Sequence, residues 1–104
     1  MRTITLLTAA LAAASLAAAP ALAATSYAGE KLAPQAKVGL QVAQTIALKA
    51  RPGQITDKEL EKEAGGSGLR WSFDIKSQGK TYEVGVDART GRVLENKAEG
   101  PHPD

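Results

Sequence analysis

The 104-residue chain has room for one small domain, and its 13 Lys and Arg against 11 Asp and Glu leave a formal charge of only +2. That near-balance argues against a nucleic-acid binder, which would show a concentrated basic patch. The absence of cysteine rules out disulfides, thiolate zinc sites and cysteine nucleophiles, so the core must stand on packing alone.

In chain order, Met1-Arg2 is a short positive lead, and Ile4 to Ala19 is an uncharged run rich in Ala and Leu. Pro20 follows, then Ala21-Leu22-Ala23, an A-x-A site. This is the pattern of a secretory signal peptide cut between Ala23 and Ala24. The run is shorter and less apolar than the roughly 20 residues a membrane span needs. No stable membrane anchor is expected after cleavage, and the protein is expected in the periplasm or secreted. Loss of Arg2 leaves twelve basic residues against eleven acidic ones, a mature charge of +1.

Residues 24–32 show no period and read as a flexible leader. Pro34 suits a first helical position, and Val38, Val42 and Ile46 recur at spacing four with Ala43, Ala47 and Ala50 beside them. The spacing predicts a helix from Pro34 to Ala50, stopped by Pro52-Gly53. Its small residues suggest close packing on a sheet. In residues 54–64, Thr56 followed by Glu59 fits a capping box and the Glu and Lys favour a short helix. Gly65-Gly66-Ser67-Gly68 reads as a loop.

Leu69, Trp71, Phe73 and Ile75 then alternate with Arg70, Ser72, Asp74 and Lys76, a half-buried strand. Ser77-Gln78-Gly79-Lys80 is a tight turn, with Gly79 able to take positive φ. Tyr82, Val84 and Val86 alternate in a second strand, and Arg92 to Asn96 form a third. The sheet is an antiparallel meander, with Trp71, Phe73 and Tyr82 on its apolar face. Residues 98–104 read as a disordered tail.

Between the last two strands lies Asp87-Ala88-Arg89-Thr90-Gly91. An Asp carboxylate there can accept from N–H groups two or three residues on. Gly91 can take the left-handed conformation that closes a bulged turn, and Thr90 can add a hydroxyl bond. Asp87, Thr90 and Gly91 are therefore read as structural turn residues.

No group is poised for chemistry. The lone His102 sits in the Pro-flanked tail, and no base stands near a Ser or Thr to activate it. Glu59, Glu61 and Glu63 alternate with Lys58 and Lys62, which reads as a solvated, charge-balanced face. No catalytic, cofactor-binding or metal-binding residue is assigned.

The helix end "ALKARPG" at 47–53, the Glu59-Leu60-Glu61 block and "VDARTGRV" at 86–93 resemble, in this order and spacing, the PepSY domain family. The resemblance covers about residues 33–97. It implies an α+β fold of one N-terminal helix on a small antiparallel sheet of three to four strands. It also implies that 55–63 form the first strand, against the local helix signals, and Lys58 within it suggests a charged sheet edge. Family members occur in propeptides of secreted metallopeptidases, in envelope proteins and as small exported proteins. The resemblance thus implies a non-enzymatic module that binds and inhibits or modulates a peptidase or other cell-envelope protein in trans. The alternative is an extracytoplasmic sensor that binds a ligand or metal ion through the Glu-rich strand or the tail.

Overall fold

A computed structural model describes residues 26–100. The expected signal peptide, its expected cut between Ala23 and Ala24, and His102 lie outside the described residues. The chain forms an α+β fold in which α1 (Leu40–Ala50) packs on one face of a four-stranded antiparallel sheet. The strands are β1 (Gln54–Lys62), β2 (Leu69–Ser77), β3 (Lys80–Asp87) and β4 (Val93–Ala98), and they pair in chain order.

Period-two alternation decides which side chains meet α1. Leu60, Trp71 and Val86 lie opposite one another across β1, β2 and β3, as do Ile55, Ile75 and Tyr82 two rows further on, past the row of Lys58, Phe73 and Val84. Leu60, Trp71, Val86 and Ile75, with Phe73, Val84, Leu69 and Ala88, form the core against Ala43 and Ala47, which are fully buried, and the partly buried Ile55 packs on it. Trp71 and Phe73 are at most 1 % exposed and stack at 6.5 Å between centroids. Tyr82 is only half-buried, because it lies at the helix end, where the Arg51 guanidinium covers its ring at 3.8 Å. Asn96 Nδ2 donates to Ala50 O (3.1 Å) and Arg51 Nε donates to Asn96 Oδ1 (3.2 Å), tying the last helical turn to β4.

β1 shows tertiary pairing overriding local propensity. Its Glu and Lys are helix formers, yet Leu60 has an apolar partner only when the segment lies alongside Trp71. One extra residue between Ile55 and Asp57, a β-bulge, shifts the register.

The helix is shorter than its sequence spacing predicts. Residues Glu30–Gln35, with Pro34 inside, form a 3-10 helix, and α1 starts only at Leu40. Between them Ala36 is extended (ψ 141°), and the N–H groups of Lys37 and Val38 both donate to Ala88 O (2.9 and 2.8 Å). Bonds made to the sheet cannot also be made within a helix. Val38 therefore precedes α1, and Val42, expected in the apolar stripe, is 57 % exposed. Ala43 and Ala47 form the contact face instead.

Of the leader expected over 24–32, residues 26–32 are described, and they lie against the sheet. Tyr27 packs edge-on against Trp71 at 5.0 Å, and Ala28 makes a parallel bridge to Glu59, its O accepting from Leu60 N–H (2.9 Å). Gly29 permits this approach: its φ is 87°, and an added Cβ would collide with Leu60 O. At the other end β4 runs to Ala98 and Glu99 N–H donates to Thr81 O (2.9 Å), so the chain stays tied to the sheet past residue 98. Arg92 belongs to the preceding turn, its O accepting from Asp87 N–H (2.8 Å).

Candidate interaction surface

Two polar constructions flank the core. One is the β3–β4 turn, and the other is the face of the sheet that α1 does not cover.

At the turn, Asp87 is 1 % exposed. Its Oδ1 accepts from Arg89 N–H (2.8 Å), Thr90 N–H (3.1 Å) and Ser67 Oγ (2.7 Å), and its Oδ2 accepts from Ser67 N–H (2.6 Å). Burial alone would raise its pKa. The Ser67 hydroxyl and the three backbone donors outweigh it and hold the carboxyl well below the usual aspartate range. Gly91 has φ 82° and donates to Asp87 O (2.9 Å), while Thr90 Oγ1 accepts from Arg92 N–H (3.2 Å). Arg89 bridges outward, donating to Ser67 O (2.9 Å) and Gln35 O (3.3 Å). Ala88 N–H donates to Leu69 O (2.8 Å). Asp87 and its neighbours thus join the β1–β2 loop, the turn and the segment leading into α1. Both carboxylate oxygens accept hydrogen bonds from donors of this chain, and the depressed pKa makes the group a poor base.

Ser67 carries this junction from within what reads as a glycine linker. Its role depends on a partner 20 residues away, so no local pattern betrays it. The same loop brings Gly65 close to the Arg70 guanidinium. Arg70, expected on the solvated side of β2, is therefore only 8 % exposed. It pairs with Glu95 at 3.1 Å, and among the described residues its buried Nε has no hydrogen-bond partner.

The uncovered face is built by cross-strand register. Asp57, Asp74, Glu83 and Lys97 form one row across the four strands, and Glu59, Ser72, Gly85 and Glu95 form the next. Glu61 and Arg70 follow, with Glu61 Oε2 accepting from Ser72 Oγ (2.8 Å). Three carboxylates thus stand directly opposite one another before a single ammonium closes the row, an arrangement that costs stability. Burial, then Glu95, Asp74, Glu61 and Glu63, push the Glu83 carboxyl up from its ordinary value. Glu99 is raised as well, chiefly by a hydrogen bond to Asp74. The charge balance read along Lys58–Glu63 therefore does not extend across the sheet. Lys58 lies on the α1 side, where Nζ donates to Gln44 Oε1 (3.3 Å). Residues 30–51, the helical layer, carry Lys31, Lys37, Lys49 and Arg51 against Glu30 alone. A nearly neutral domain is thus polarised across its sheet.

Among the described residues, no three His, Cys, Asp or Glu side chains converge as metal ligands, and no helix is long and apolar enough to cross a membrane.

Residues 37–97 match the family model PepSY, described as the peptidase propeptide and YPEB domain. No curated protein and no solved structure gives a match.

Proposed function

Because the chain belongs to the PepSY family, we propose that it is an exported, non-enzymatic module that binds a peptidase or another cell-envelope protein and inhibits or modulates it. The observation that carries this reading is the bare acidic face of the sheet. Opposed like charges such as Asp57, Asp74 and Glu83 work against folding, and a complementary cationic surface on a partner repays that cost on binding. Contact spread over a flat sheet face suits a protein surface better than a small molecule, which calls for an enclosing, mostly apolar pocket.

The test is capture of peptidases from envelope extract on the immobilised protein, followed by their proteolytic rate with and without it. The expected result is a recovered peptidase whose rate changes, with binding weakened by salt and by the pair Asp74→Asn and Glu83→Gln. Binding and rates that ignore both the protein and the pair of substitutions overturn the reading.

A further inference from the structure

The two edges of the sheet are finished differently. The β1 edge is blunted by the bulge between Ile55 and Asp57 and by Ala28, which takes the N–H of Leu60. Among the described residues nothing pairs with the outer side of β4. Glu99 N–H points into the sheet at Thr81 O. The alternation of an antiparallel ladder then turns Glu95 and Lys97 inward and the backbone groups of Asn96 and Ala98 outward. β4 is thus a bare template for another strand.

We propose that the occupant of this edge is a second copy of this chain. The β4 strands would pair antiparallel about a two-fold axis at Asn96, making one continuous eight-stranded sheet. This proposal is independent of the peptidase reading.

Charge selects both the partner and the register. With Asn96 opposite Asn96 of the second copy, Glu95 lies opposite the second copy's Lys97, and Lys97 opposite its Glu95. These are non-hydrogen-bonded rungs, where side chains approach most closely. A shift centred on residue 95 puts Glu95 against Glu95, and one centred on residue 97 puts Lys97 against Lys97. The Asn96-centred register satisfies backbone and side chains together, and it alone places both Glu95 and Lys97 against opposite charges. Lys97 is free to serve: its side chain is 74 % exposed, and its contact to Glu95 of its own chain is a long 3.7 Å. Glu95 is held in place by Arg70. The second copy's Lys97 would also close the row of Glu59, Ser72, Gly85 and Glu95, which within one chain ends on the carboxylate.

Sedimentation equilibrium of the exported chain over a concentration series tests this. The expected result is a reversible one-to-two transition that is complete at millimolar concentration. Lys97→Glu places like charges on both symmetric rungs and should weaken the dimer by about tenfold or more. Ala98→Pro removes an outward N–H without touching the β3 ladder and should do the same. Glu95→Lys alone should also be monomeric, but mixed with Lys97→Glu it should form a one-to-one heterodimer, because each rung is then complementary. Thermal melts confirm that each variant is folded, and should Glu95→Lys fail to fold, the other two variants decide. A chain monomeric at every concentration, or a dimer indifferent to both Lys97→Glu and Ala98→Pro, overturns the proposal.

Discussion

Asp87 concentrates more hydrogen bonds than any other described side chain, and its chemistry sets a testable pH dependence. Its carboxyl is depressed below the ordinary 3.8, which the unfolded chain retains. Above that value both states are ionised and the stabilisation is fully present. As pH falls through 3.8 and below, the unfolded chain takes up a proton that folded Asp87 refuses, and the stabilisation is progressively lost. Asp87→Asn keeps one oxygen but turns an amide donor toward the Ser67 N–H. It should lower stability at neutral pH by about 2 kcal/mol. It should also flatten the acid limb of stability against pH, read by urea titration at a series of pH values. An acid limb as steep as that of the parent chain would show that other groups govern acid unfolding.

Gly29 makes a second prediction at this scale. Any side chain there meets Leu60 O, so Gly29→Ala should detach residues 26–29 from β1 and leave the rest of the sheet folded. Amide exchange reads this directly, since the Leu60 N–H, now bonded to Ala28 O, should lose its protection while the β2–β3 ladder keeps its own.

Among the elements, the β2–β3 hairpin was legible because Leu69, Trp71, Phe73 and Ile75 alternate without interruption and Gly79 marks the turn. Gln78 is its weak point. It sits at φ 53° beside Gly79 at φ 80°, a left-handed position that costs a residue with a Cβ. Gln78→Asn supplies the Asn-Gly pair this turn prefers and should raise stability by about 0.5 kcal/mol, seen as a higher melting temperature. β1 was legible only through family resemblance. Its residues favour helix, and what makes it a strand is the pairing of Leu60 with Trp71, a contact that no window of sequence contains. The start of α1 was hidden for a similar reason, since the bonds from Lys37 and Val38 to Ala88 reach across about fifty residues. Turn chemistry at Asp87, Thr90 and Gly91 is local enough to be argued from the sequence. The contribution of Ser67 and the burial of Arg70 depend on how a glycine loop folds back, and they are not.

At the scale of the whole molecule, near-zero net charge concealed a polarity that only register reveals. Asp57, Asp74 and Glu83 come from three strands, and their alignment follows from the bulge in β1 as much as from their identities. Glu83→Gln should relieve repulsion and raise stability by about 0.5 kcal/mol at neutral pH, while weakening capture of a cationic partner. The stability gain should shrink as the parent carboxyl is protonated on acidification. Its raised pKa places that change at higher pH than for an ordinary glutamate. A variant that gains stability yet binds as before would separate the acidic face from partner recognition. Opposite effects on folding and binding are the usual mark of a functional site.

The chain has one tryptophan, and its indole N–H donates to Val38 O (2.8 Å) from a position 1 % exposed. Trp71 also stacks on Phe73 and meets Tyr27 edge-on, so it touches β2, the lead-in to α1 and the N-terminal segment at once. Its emission is therefore a built-in, label-free optical gauge of the fold, blue-shifted when those three are assembled and moving to longer wavelength as water reaches the ring. Loosening of the N-terminal segment alone should change its intensity before its colour, because the Tyr27 neighbour leaves while the indole stays dry.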